Sequence, residues 1–314
     1  MRRSAIVAVA LLALPLFAQV PQATALFEQG QYDEAKKLVA SLKNDFDAQL
    51  LLGKIAMAQN QAEAAEAFFA HAVELKPNNA GAHLWLGQAY GTQAQNASLF
   101  RQASLAGKTK DEFERAAQLD PNLLDARFGL IDYYTMAPSF MGGSHEKALQ
   151  EAAEIKKRDV YAGHRAFARI YQRDKNLDLA RKEWIDAIKE QPQSAKPHLA
   201  LATFYTFQDK NYAGAWSEVD AALKVEPSSM LIQFRIGQVA AMSGQNFARG
   251  EEALKKYLTT KPKENEPDLA SAHYYLGMIY EKQGKKAEAR QSYATALKLS
   301  PSSKQISEAL KRVS

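Results

Sequence analysis

Arg165, Arg169 and Arg173 recur at i, i+4 and i+8, a spacing that puts three guanidinium groups on one face of a helix. A guanidinium is a rigid fork that takes a carboxylate through two parallel hydrogen bonds, so this stripe has the chemistry to hold an acidic partner. The same charges have a plainer use. Asp132 upstream offers a carboxylate to Arg165 or Arg169, which would make the stripe part of an internal ion-pair network. Other chemistry is hard to find. The string HEKAL at 145–149 begins like the H-E-x-x-H zinc helix, but Leu149 stands where the second imidazole is needed. There is no G-x-S-x-G elbow, no phosphate loop and no G-x-G-x-x-G turn. The sequence therefore predicts a non-catalytic protein without metal or cofactor.

Composition narrows the setting. The 314 residues include 46% hydrophobic and 24% charged positions, an ordinary globular balance, and no cysteine. Lacking cysteine, the chain has no disulfide, no thiol chemistry and no acylated-cysteine anchor. Its N-terminus carries Arg2 and Arg3, an uncharged run from Ala5 to Phe17 and a small residue at Ala18, the layout of a secretory signal peptide. Residues 1–18 are expected to be removed, with Ala23-Thr24-Ala25 as a later alternative that would cut into the first helical pattern. No later stretch offers the roughly 18 apolar residues of a membrane helix, so an exported, periplasmic or secreted protein is expected. Removing Arg2 and Arg3 lowers the formal net charge from +5 to +3, too small an excess to point to nucleic acid.

What positions the arginines is a repeated pattern. His273-x-x-Leu276-Gly277-x-x-Tyr280 is followed by Ala289, Tyr293, Ala296 and Pro301. His164, Phe167, Ala168 and Tyr171 lead to Ala180, Trp184, Ala187 and Pro192 at the same offsets, and Gln49, Leu52 and Gly53 lead to Ala65, Phe69, Ala72 and Pro77. The copy starting at His198 continues to Ala215, Val219, Ala222 and Pro227 with one extra residue, and the one starting at Gln233 is similarly stretched. His83 begins a copy that closes at Phe113, Ala116 and Pro121 after an insertion. Each place has a steric reason. The apolar residues three and four apart form one stripe, Gly or Ala lets a second helix come close, the aromatic fills the gap, and proline ends the unit. Four of the six histidines, His83, His164, His198 and His273, share one repeat position and are read as packing residues.

On these residues the chain resembles the tetratricopeptide repeat family, from about Ala23 to Pro301. The resemblance implies an all-α solenoid, a superhelix of stacked helical hairpins. About eight repeats are expected over 19–301, with two insertions and a C-terminal cap helix over 302–314. It also implies that residues of the first helices off the packing stripe line a groove that binds protein segments. At those places stand Arg165, Arg169 and Arg173, and one copy earlier Asp125, Phe128 and Asp132. The family members that read a partner's C-terminal carboxylate use Lys and Asn spread over successive repeats. Here three arginines crowd one repeat, with Thr203 and Gln238 further on, which fits a less specific groove for an extended, acidic segment. The alternative is a glycan stacked on Phe128, Phe207, Phe234 and Tyr274.

The insertions are individual to this chain. Thr92–Lys110 exceeds the short turn of the family and is expected to lengthen both helices of the third repeat, leaving Leu99, Phe100 and Leu105 in need of cover. In Thr135–Ala148, Pro138 and the Gly142-Gly143 pair break the helix and display Phe140 and Met141 on a loop, either for a partner or folded back on the long third repeat.

Overall fold

The computed structural model describes residues 16–263 and 266–314; residues 1–15 of the expected signal peptide lie outside the described residues. Among the described residues there are seventeen α-helices and no strand. Two compact units divide at Ile155 and Lys156.

The first unit holds α1 (Leu16–Glu28), α2 (Tyr32–Val39), α3 (Phe46–Ala58), α4 (Ala62–Leu75), α5 (Ala80–Asn96), α6 (Leu99–Leu119), α7 (Leu124–Met136) and all but the last residue of α8 (His145–Lys156). The second holds α9 (Val160–Arg173), α10 (Leu177–Glu190), α11 (Ala195–Phe204), α12 (Tyr212–Val225), α13 (Met230–Ser243), α14 (Phe247–Tyr257), α15 (Leu269–Lys282), α16 (Lys286–Leu299) and α17 (Lys304–Arg312). Consecutive helices pair as hairpins. Within each unit odd-numbered helices also touch one another, α1 with α3, α3 with α5, α5 with α7, and α11 with α13, α13 with α15.

Local sequence explains the boundaries. Asp45, Asn79, Asp159 and Asp268 cap odd-numbered helices by accepting a backbone N–H three residues on. Pro77, Pro121, Pro192, Pro227 and Pro301 each follow a second helix by two residues and stop it. At Gly53 and Gly277 any side chain would run into the rings of Phe69 and Tyr293, so glycine sets how close the two helices of those hairpins lie. Phe69 then reaches the next copy of the pattern, stacking on Trp85 at 5.7 Å, while Tyr293 lies 5.8 Å from Tyr274 within its own hairpin.

The one-residue extensions are absorbed in two different ways. In the His198 copy, helix α11 runs into a π-helical turn, Tyr205–Asp209, in which Thr206 is buried and Lys210 closes with a left-handed backbone. In the Gln233 copy the turn itself lengthens, with Gly244 and Asn246 both left-handed. The Thr92–Lys110 insertion lengthens both helices: α5 has 17 residues and α6 has 21, against 14 in α15 and α16. Leu105 is buried by this extension, whereas Leu99 and Phe100 remain exposed, Phe100 at 92%. Helix α17 closes the second unit by burying Ile306, Ala309 and Val313 and by a two-pronged ion pair from Arg312 to Glu281 at 3.0 and 3.1 Å.

A polar pair recurs between the helices of four hairpins. Nδ1 of His83 lies 2.5 Å from Glu112, that of His164 2.8 Å from Glu183, and that of His198 2.7 Å from Glu218. In α7 the same register is held by Arg127, whose Nη1 donates to Glu151 at 2.6 Å. In every case the carboxylate precedes the large or small residue of the second helix that faces the groove of the first, namely Phe113, Trp184, Val219 and Ala152. The packing role read for these histidines thus has a polar component, since His83 and His164 are buried and a buried imidazole needs a hydrogen-bond partner.

Candidate functional site

The second unit carries a groove of about 380 Å3, built by α9, α10, α11 with its π turn, and α13. Its walls are largely rings. Tyr161 of α9 lies 6.2 Å from Trp184 of α10, and Phe204 and Phe207 come from the end of α11 and the π turn. The π turn is tied down from behind: Arg181 grips Asp209 through two hydrogen bonds of 3.0 Å each, a bidentate contact that fixes the turn against α10. The extra residue of this copy accordingly places Phe207 and Gln208 on the groove wall.

Three cationic side chains line the groove: Arg165 and Lys196, both exposed, and Arg235 of α13, half-buried with its Nε shut off from solvent. Nη1 of Arg235 donates to Gln238 at 2.6 Å, and Gln238 in turn donates to the Tyr275 hydroxyl at 2.9 Å. Desolvation pulls the Arg235 pKa below its ordinary value, opposed by the nearby Tyr275, Tyr161 and Tyr257 hydroxyls. Burial likewise raises the Tyr161 pKa, against the pull of Arg165 and Arg235, so its hydroxyl remains a neutral hydrogen-bonding group.

The expected residues fare differently. Arg165 is at the groove together with Gln172 of the same helix, while Arg169 is half-buried and Arg173 exposed on α9 away from the groove lining. Asp132 is half-buried on α7 in the first unit. Phe128 was expected to offer a face to ligand and does not: it is only 7% exposed. Phe234, an aromatic platform in the glycan reading, is 1% exposed, enclosed between Tyr257 and Tyr275, so two of the four platforms are closed. Phe128, Arg165 and Phe234 occupy the same repeat place; the rings turn inward because burial of an aromatic is favourable, whereas the guanidinium stays in water. Phe140 is 82% exposed in a short 3-10 turn, Ser139–Met141, that lies against α6. Met141 is half-buried, and its carbonyl accepts from the Tyr133 hydroxyl. The loop is therefore folded back on the long third repeat at Met141 and presents Phe140 outward.

Arg235, Lys196 and Trp184 are groove residues that reading the sequence missed. A signal existed for the first. Arg235 stands among Leu231, Ile232, Gln238 and Val239, so no carboxylate is within i±3 or i±4 on its own helix. Among the described residues no group of three or more His, Asp and Glu is placed to hold a metal, and no helix is long and apolar enough to cross a membrane.

These stacked helical hairpins form an α-solenoid fold. Models of the tetratricopeptide repeat match residues 26–80 and 270–303. A tetratricopeptide repeat protein from Parabacteroides merdae shares the fold with a TM-score of 0.51 and 16% identity, covering 85% of this chain and 98% of its own. Human IFIT1, seen as a dimer with m7Gppp-AAAA, aligns with a TM-score of 0.54 and 17% identity over 92% of this chain and 70% of its own. No curated protein matches the sequence. The chain thus carries tetratricopeptide repeats at 26–80 and 270–303 within an all-α solenoid. In general terms that fold supports a protein-interaction scaffold.

Proposed function

We propose that the chain is a non-catalytic scaffold of the cell envelope that binds an extended segment of a partner protein in the groove of its second unit. The observation that carries this reading is the groove itself, a ring-walled channel rimmed by Arg165 and Lys196 and shaped by a π turn that departs from the regular repeat. Rigid aromatic walls with arginine at hand are the composition of protein-binding hot spots. The closure of Phe128 and Phe234 favours a protein segment over a glycan. Export rests on the basic N-terminus, the apolar run to Phe17 and the small Ala18.

Two measurements test the proposal. The exported protein should begin at Gln19 on N-terminal sequencing of the envelope fraction; an intact Met1 in the cytoplasm would remove the envelope from the reading. A photo-cross-linking side chain at Thr203, in the groove, should capture a protein that the same group at exposed Lys182 on α10 does not. Charge reversal at Arg165 and Lys196 should abolish that capture. Cross-links formed equally at both positions would place recognition elsewhere on the molecule.

A further inference from the structure

Four of the six large apolar side chains that are exposed among the described residues belong to one edge of the first unit. Leu99 and Phe100 begin α6 just after the turn from α5, Met136 ends α7, and Phe140 follows it in the 3-10 turn that touches α6. Both turns lie inside their hairpins, and in a stack of hairpins the inner turns fall along the same edge. Arg101, beside Phe100, carries that edge back to the preceding hairpin by reaching Glu63 in the first turn of α4 at 2.9 Å. The segment bearing Phe140 is firmly held. The Tyr133 hydroxyl donates to the Met141 carbonyl, the N–H groups of Met141 and Gly143 donate to the Pro138 carbonyl at 2.9 and 3.1 Å, and that of Ser144 donates to the Tyr134 carbonyl at 2.9 Å. Gly142 is left-handed, and at Gly143 a side chain would strike the Ala137 carbonyl. The backbone thus fixes an aromatic ring in water, against the ordinary preference of such a side chain for burial.

The charge on this edge is one-sided. Residues 92–110 contain Arg101, Lys108 and Lys110 but no Asp or Glu, and residues 135–144 contain no charged residue. Of the acids that border it, Glu63 is held by Arg101 at 2.9 Å, Asp111 by Lys110 at 3.0 Å, and Glu146 stands next to Lys147. Lys108 is exposed, its Nζ 4.8 Å from the centre of the Tyr90 ring.

We infer that this edge docks on the surface of an anionic lipid bilayer, with Phe100 and Phe140 entering the boundary between headgroups and acyl chains. The inference does not depend on the groove of the second unit. Rings that project from two different hairpins would need two matching pockets on a protein partner, whereas a fluid bilayer needs none. Aromatic rings favour the membrane interface, and an edge without bare carboxylates approaches anionic headgroups without repulsion while Arg101 and Lys108 are drawn to them. Contact is peripheral, since no described helix is long and apolar enough to cross.

The test is flotation of the chain from Gln19, which keeps Val20 and Ala23 of the α1 core but lacks the apolar run from Ala5 to Phe17 that would itself bind lipid. Vesicles of three parts phosphatidylethanolamine to one part phosphatidylglycerol are compared with vesicles of phosphatidylcholine. The protein should float with the anionic vesicles and less with the neutral ones. Joint replacement Phe100→Ser and Phe140→Ser should weaken partitioning at least about tenfold while leaving the melting temperature at the parent value, because neither ring is buried. Phe140→Trp should bind no more weakly than the parent. A parent that stays at the bottom of the gradient, flotation indifferent to lipid charge, or a double variant that floats as well as the parent would each overturn the inference. So would a parent that sediments as a dimer without lipid and a double variant that sediments as a monomer, since the edge would then join two copies of the chain.

Discussion

Arg127 and Arg235 stand on first helices of two different hairpins, one in each unit, and both carry a buried Nε without a partner. Arg127 occupies the register that holds histidine in three other hairpins and meets Glu151 at 2.6 Å across its own pair of helices. Arg235 lies two residues past the equivalent place, which is Gln233, and is surrounded by phenols, the Gln238 amide and the Phe234 ring. Arg127 meets a carboxylate at a position that is part of the repeat, whereas Arg235, which opens on the groove, meets none among the described residues. The difference separates a charge that serves the fold from one that opens on the groove.

The sharpest way to break this comparison is Glu151→Ala. The side chains of Arg127 and Glu151 are only 13% and 20% exposed, so removing the acid strands a largely desolvated guanidinium. Breaking a buried pair from one side costs roughly 3–5 kcal/mol, and the residual exposure places this one at the low end, about 3 kcal/mol. Denaturant titration would read it. Exchange of both partners for Met should recover most of the loss, since a well-packed apolar pair is often as stable as the ion pair it replaces. A single-variant loss under ~1 kcal/mol would place the pair with weak surface ion pairs and erase the contrast with Arg235.

A smaller effect sharpens the comparison among the histidines. His83, His164 and His198 face glutamates; for His273, in the same register, the place of that acid in the second helix is taken by Ser292. Desolvation lowers the His273 pKa below 6.5. The unfolded chain therefore takes up the proton first as pH falls. Stability from the neutral imidazole is whole above pH 6.5 and declines as pH drops through the folded value. The acids Glu190, Glu251 and Glu281, whose pKa values are lowered chiefly by hydrogen bonds from Lys156, Lys255 and Arg312, lose their contributions only at lower pH still. His273→Gln, using the residue found at this place in two other copies, should lose less stability than the parent between pH 7 and pH 5. Equal losses in urea midpoints would show that His273 does not titrate to the cost of the fold.

Much of the fold was legible because it follows from short-range rules. Gly53 and Phe69, or Gly277 and Tyr293, are separated by a fixed number of residues whenever two helices of fixed length pack across a turn. Even the extra residue of the His198 copy was visible, though spacing alone gives no sign that it would appear as a π turn rather than as the longer left-handed turn of the Gln233 copy. The groove was legible only by half. Helical spacing puts Arg165, Arg169 and Arg173 on one face, but which of them meets α11 and α13 is decided by stacking between hairpins. Phe128 was misread for a related reason: its place in the repeat is compatible with solvent, and its chemistry is not.

Phe140 is expected to give the smallest effect, and it extends the comparison from charge to apolar surface. Met141 is tied in through the Tyr133 hydroxyl at its carbonyl, while Phe140 beside it is 82% exposed and buries little. Phe140→Ser should therefore change stability by no more than about 0.5 kcal/mol, the range of ordinary surface substitutions. Met141→Ser, at a half-buried position, should cost more. If both cost the same, the loop is held by its aromatic ring as well as by its backbone, and Phe140 joins Arg127 among residues that serve the fold. If Phe140→Ser is silent in stability yet lowers capture of the partner held at the groove, then the exposed ring serves binding and not the fold, the opposite of Arg127.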